Sequence, residues 1–285
     1  MKTLSIIGLG LMGSSLGLAL KKRGVSVCIQ GYARRRETCE EALELGAVDA
    51  AYTDPAEAVS GADLVVICVP IWTIAELAKA IVPALEPGAV VTDVGSTKTD
   101  LISVMEACFA NSGACFIGSH PIAGSEKTGV MAGSPDLYEG RLAVVCPTDK
   151  TPAAAKDKVS NLWKCVGSEV VEMSAEQHDA TLASTSHLPH MVAAALARSV
   201  GVEKADFCGT GFKDTSRVAS GSADMWVDII DTNRAALEAE LDHFHEELQG
   251  LIAILRKGDS NDIRQWLEDA AGQRDRILHQ NRFLK

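Results

Sequence analysis

The chain has 285 residues, 47% of them hydrophobic and 23% charged, long enough to bury a large core as two domains. No apolar run approaches the roughly 20 residues that a membrane-spanning helix requires, so a helical membrane protein is excluded. Lysine and arginine number 27 against 38 acidic residues, a net charge of −11 that repels a phosphate backbone and sets nucleic acid aside as a partner.

In chain order, short β-branched runs alternate with helical stretches up to about residue 172. Strands are expected at Thr3 to Ile7, Val25 to Gln30, Asp63 to Val69, Ala89 to Val94, Cys115 to Ser119, Leu142 to Cys146 and Glu169 to Glu172, each bounded by Gly, Pro or Asp. That alternation predicts a mostly parallel, doubly wound α/β sheet of Rossmann type over residues 1–172. The run LVVICV at Leu64 to Val69 suits a strand covered on both faces. From Ser174 onward the period lengthens. Leu237, Leu241, Phe244, Leu248, Leu251, Ile252 and Leu255 recur at steps of three and four, one stripe of a long helix that stops near Gly258. Ser260 is expected to cap a further helix carrying Ile263, Leu267 and Ile277. Residues 173–285 are therefore expected to form an all-α domain, with more apolar stripe than one small bundle needs and hence a homodimer contact. The eight cysteines form no CxxC pair, which suits a reducing compartment and argues against a structural metal. The N-terminal run reads as part of the fold rather than as a signal peptide, so a cytoplasmic location is expected.

Gly8-Leu9-Gly10-Leu11-Met12-Gly13 follows the first strand and opens a helix. The first glycine permits a tight turn, the second lets backbone approach a pyrophosphate, and the third allows close helix packing. Val69 and Pro70, where LVVICV ends, are assigned to the cofactor site as well. After the second strand, where an NAD site usually carries Asp or Glu, stands Ala33, followed by Arg34, Arg35 and Arg36. Without the carboxylate a 2′-phosphate is not repelled, and a guanidinium there can bind it through two hydrogen bonds. NADP is expected, with NAD as the alternative. A solvated first helical turn is the other reading of the arginines, at a helix end where cations are unfavourable.

Four further clusters stand out: Asp93-Val-Gly-Ser-Thr-Lys98, Ser119-His-Pro-Ile-Ala-Gly-Ser-Glu-Lys-Thr-Gly129, Ser186-His-Leu-Pro-His190 and Gly211-Phe-Lys-Asp-Thr-Ser-Arg217. The first two follow strands, where open parallel sheets place their ligand crevice, and the other two belong to the helical half. With these motifs in this order, over nearly its whole length, the chain resembles the prephenate/arogenate dehydrogenase family of tyrosine biosynthesis. The resemblance implies a nucleotide-binding domain, a helical dimerisation domain, and oxidative decarboxylation of a cyclohexadienol acid by a nicotinamide cofactor. No chorismate mutase or regulatory domain is expected beside it, which makes it monofunctional.

By that resemblance His120 is the catalytic histidine and Ser96 the serine that orients it. A neutral imidazole suits the task, since it can take the 4-hydroxyl proton as a carbonyl forms. Arg217 matches the cation that grips a substrate carboxylate, with Lys213 a second cation nearby. Ser186 and His190 match substrate-side residues, while His187 is expected to bond within the fold. Glu126 is expected to gate or order the pocket and Trp226 to line it. Asp224 is placed to favour the ammonium of arogenate over the ketone of prephenate, its alternative being an exposed helix cap. The competing readings are a β-hydroxyacid dehydrogenase, whose chains also open on GLGxMG, and a non-catalytic NADP-sensing dimer.

Overall fold

The computed structural model describes residues 2–125 and 127–283. Its first half runs β1 (Thr3–Ile7), α1 (Leu11–Lys22), β2 (Cys28–Tyr32), α2 (Arg36–Glu44), β3 (Ala50–Tyr52), α3 (Pro55–Val59), β4 (Leu64–Ile67), α4 (Ile71–Ile81), β5 (Val90–Asp93), α5 (Thr99–Phe109), β6 (Cys115–Pro121), β7 (Leu142–Cys146), α6 (Ala153–Cys165) and β8 (Glu169–Glu172). The strands form one sheet in the order β3-β2-β1-β4-β5-β6-β7-β8. Every neighbouring pair is parallel except β6 with β7. The order reverses at β1, and that reversal opens the crevice where such sheets bind ligands.

Alternation along the strands supplies two cores. Leu4, Ile6, Leu64 and Val66 face Leu16 and Leu20 of α1 and Val159 and Trp163 of α6. Ile7, Val65 and Ile67 face Ile74 of α4 and Leu101 and Met105 of α5. Successive side chains of a strand point to opposite faces, so continuous apolar runs appear wherever helices cover both.

Strands β1, β7 and β8 fall where expected. β2 lies later than Val25 to Gln30, because β1 begins at Thr3 and its first partner is Cys28, leaving residues 25–27 no ladder neighbour. The edge strand β3 was not expected: Ala50-Ala51-Tyr52 is short and lacks a β-branched signal. β6 continues past Ser119 to Pro121 because β7 pairs with it through Pro121 and Ala143 after β5 has ended.

The second half is helical: α7 (Ala175–Leu182), a π-helical turn (Ala183–His187), α8 (Leu188–Ser199), α9 (Thr210–Ser216), α10 (Ala223–Thr232), α11 (Arg234–Lys257) and α12 (Ser260–Gln280). A capping box of Ser174 and Gln177 opens α7. Gly258, at φ 74°, closes α11 in the left-handed conformation that glycine adopts without strain. Asp259, not Ser260, caps α12, its carboxylate accepting from the Asn261 N–H at 2.8 Å. Among the described residues no helix is long and apolar enough to cross a membrane.

Candidate active site

The glycine turn has the geometry its sequence calls for. Gly8 sits at φ 110°, and a Cβ there would lie 2.6 Å from the Cys68 carbonyl oxygen and 2.7 Å from Val69 Cγ1. A Cβ on Gly13 would lie 2.1 Å from the Gly8 carbonyl oxygen, so that position admits only glycine, whereas nothing stands within 4 Å above Gly10. Open space over Gly10 at the start of α1, where helix N–H groups lack partners, fits a pyrophosphate. Val69 lines this turn, and Pro70 follows it at the start of α4. Leu11 and Met12 are half-buried in the first turn of α1, whereas the Leu9 side chain is buried under Gly31. Leu9 can therefore meet a ligand only through its backbone, because strand packing claims its side chain.

Ala33 follows β2 directly and is buried, while Arg34, Arg35 and Arg36 are exposed. Arg36 begins α2 and pairs with Glu40, so the helical-turn reading holds for this residue. Arg34 and Arg35 precede the helix, and among the described residues neither pairs with a carboxylate.

His120 stands near the carboxyl end of β6, beyond the last β5 pairing, opposite Val144 of β7. Its Nδ1 lies 2.9 Å from Nε2 of His178, and His178 Nδ1 lies 2.8 Å from Asp179 Oδ1. The carboxylate can only accept, so His178 Nδ1 carries a proton; with the His178 ring neutral, its Nε2 accepts from His120 Nδ1–H. The Nε2 lone pair of His120 is thereby left for a ligand. Burial pushes the His120 imidazole well below its ordinary range, and the neighbouring His178, Lys98 and His187 push the same way. Burial opposes the Asp179 charge, but bonds from His178, Thr99 and Lys98 outweigh it and hold the carboxyl below the usual range.

Asp179 does more than orient His178. Its two oxygens accept the backbone N–H groups of Lys98 and Thr99, each at 2.8 Å, and so cap α5 from the other half of the chain. Asn233 donates to the Asp179 carbonyl at 2.8 Å and to His187 Nδ1 at 3.2 Å. His187 is buried and bonds within the fold, as expected; burial pushes its imidazole down, Asp179 pulls against that, and His178 adds to the push, which leaves it at about 4. Ser119 is tied down beside His120, donating to the Asp93 carbonyl and accepting from the Trp163 indole N–H at 3.0 Å.

Ser96 lies half-buried in the β5–α5 turn, and its hydroxyl makes no hydrogen bond among the described residues. His120 Nδ1 is taken by His178, in a T-shaped contact of the two imidazoles, so Ser96 makes no bond to that nitrogen. In the helical half, His190 stacks on Trp226 with ring centroids 3.6 Å apart, and His187 meets the same indole edge to face at 6.0 Å. Ser186 is exposed in the π-helical turn, which lies just before Pro189; a proline in a helix lacks the N–H that continues the ladder. Lys213 on α9 and Arg217 in the following turn are exposed and without a carboxylate partner among the described residues, and that turn packs on α8, which carries His190. Asp224 is exposed in the first turn of α10, whose cap is Ser222 rather than Asp224. Glu126 lies outside the described residues.

Sequence reasoning missed His178, Asp179 and Asn233. The one local signal, for the first two, is a His-Asp pair in a helix with a complete capping box, 58 residues beyond His120.

A pyrophosphate turn and an imidazole relay at the carboxyl ends of one sheet's strands define a nicotinamide-dependent oxidoreductase with a helical second domain. The chain belongs to the prephenate dehydrogenase family: residues 16–172 match its nucleotide-binding domain and residues 174–269 its dimerization domain. It is 34% identical over 276 residues to a cyclohexadienyl dehydrogenase of Zymomonas mobilis, covering 94% of each chain. The crystal structure of prephenate dehydrogenase from A. aeolicus, in complex with hydroxyphenyl propionate and NAD+, superposes at TM-score 0.91 with 32% identity, covering 97% of this chain and 98% of that one. A Synechocystis arogenate dehydrogenase superposes at TM-score 0.85 with 29% identity, covering 96% and 99%. The β-hydroxyacid reading is not favoured by these matches.

Proposed function

We propose that the chain catalyses oxidative decarboxylation of prephenate, arogenate or both, with His120 as the base. The observation that carries this is the Asp179–His178–His120 relay, which leaves one imidazole lone pair free in the crevice. A nicotinamide cofactor held at the Gly8–Gly13 turn would supply the acceptor for the hydride on the ring carbon bearing the hydroxyl, as the ring carboxylate departs as carbon dioxide and the ring becomes aromatic. His120 Nε2 accepts the 4-hydroxyl proton, and the resulting imidazolium is stabilised by its Nδ1–H bond to His178, backed by Asp179. Ser96 approaches the same hydroxyl from its turn. Arg217 grips a carboxylate bidentately, with Lys213 beside it, while Ser186, His190 and Trp226 form the substrate wall and Glu126 orders it.

NADP is the proposed cofactor, supported by Ala33 and the unpaired Arg34 and Arg35, with NAD the alternative. The domains divide at 172/173, where β8 ends and the α7 capping box begins. The protein works as a homodimer, in keeping with its dimerization domain, and in the cytoplasm, in keeping with eight free cysteines.

A two-by-two assay of prephenate and arogenate against NAD and NADP tests the reading, and no turnover of either acid would overturn it. His120→Asn is expected to bind cofactor normally and to lose about a hundredfold or more in kcat. Asp224→Asn is expected to lower arogenate kcat/KM more than prephenate kcat/KM, and equal losses would remove Asp224 from substrate choice.

A further inference from the structure

Asp93, the last residue of β5, is completely buried, and its carboxylate joins two turns. Oδ2 accepts the Gly95 N–H at 2.7 Å and the Lys98 ammonium; Oδ1 accepts the Ser119 N–H at 3.0 Å. Ser96 is the residue after Gly95, and His120 the residue after Ser119. One carboxylate thus holds the backbone immediately before each of the two side chains assigned to the reacting hydroxyl.

Lys98 is also completely buried, so its pair with Asp93 is shielded from solvent. Two glycines make room for it. A Cβ on Gly95 would lie 2.9 Å from Asp93 Oδ2 and 3.3 Å from Lys98 Nζ, and one on Gly118 would lie 3.1 Å from Lys98 Cδ. Buried ion pairs are weak stabilisers of a fold compared with apolar packing, so the arrangement asks for a reason beyond stability. A carboxylate offers acceptors at both ends, whereas an amide offers one acceptor and one donor.

We infer that Asp93, with Lys98 as its buried counter-ion, is a positioning residue that fixes the separation of Ser96 from His120. This rests on the proposed roles of those two residues. Replacing the carboxylate by an amide leaves one turn facing a donor, and that turn is released. Misplacement of a reacting group by about 1 Å can cost on the order of a hundredfold in rate.

The test is a double-mutant cycle on kcat with Asp93→Asn and Ser96→Ala. Each single variant is expected to lose roughly ten- to a hundredfold in kcat, with the cofactor KM within about threefold of wild type, because the glycine turn stands on β1. The double variant is expected to fall within about threefold of the worse single variant, since Ser96 is already out of place once Asp93 is gone. A double loss equal to the product of the two, or wild-type kcat in either single variant, overturns the inference. If Asp93→Asn leaves too little folded enzyme, the same cycle is run on Asp93→Asn/Lys98→Met, which leaves no charge buried alone. The underlying reading fails separately, by full turnover in His120→Asn.

Discussion

The two halves solve burial differently. In the sheet half, strand residues such as Leu4, Ile6, Val65 and Ile67 are completely covered by helices of the same chain. In the helical half, α11 buries only Leu237 and α12 buries nothing, while Leu248, Ile252, Leu255, Leu267 and Ile277 remain exposed. An apolar surface of that kind is covered by a second molecule, in agreement with the family's dimerization domain. The sheet half is therefore complete within one chain, and the helical half in the assembly.

The sharpest way to break this contrast is Ile252→Asp with Leu255→Asp. It is expected to halve the mass seen by light scattering and to abolish most turnover, on the order of a hundredfold, while cofactor affinity changes little. Loss of cofactor binding in the monomer would show that the sheet half is not self-sufficient. A smaller effect, confined to the sheet half, is expected from Arg34→Ala with Arg35→Ala: the KM for NADP rises roughly tenfold and that for NAD stays within about twofold. Equal effects on both cofactors would assign the arginines to the protein surface.

The smallest effects are those of pH, and they lie at the join between the halves. Because the His120 imidazole is held well below its ordinary range, the acid limb of kcat/KM is expected below the unperturbed histidine value of about 6.5. Folding stability carries a matching signature from His187, at about 4. The unfolded chain takes up this proton near pH 6.5 and the folded chain only near 4, so stability is complete above about 6.5 and declines as pH falls towards 4. A melting temperature flat from pH 7 to 4 would contradict the buried neutral state.

Legibility followed the same division. Periodicity located β1, β7 and β8 and the end of α11 at Gly258, since burial within one chain writes itself into local pattern. It missed β3, whose three residues carry no β-branched side chain, and displaced β2, whose start is set by its partner rather than by its own sequence. At the site, the glycine turn and His120 were legible from motifs. The relay behind His120 was not, because His178 and Asp179 lie in an ordinary amphipathic helix and gain their meaning only when α7 docks on α5. Asp93 and Lys98 stood inside a recognised motif, but nothing in DVGSTK shows that the carboxylate reaches Ser119.

Asp179 has a mechanical consequence. It holds the start of α5 by two backbone bonds, and Thr97 meets Thr232 at 2.8 Å close by, so the halves are riveted on this side of the crevice. A rotation that widens the mouth for product release must use this seam as its axle or rupture it. Lys213 and Arg217, on α9 and the turn after it, stand exposed and make no bond to this seam among the described residues, so the cations of the helical half are free to move when it turns about that axle.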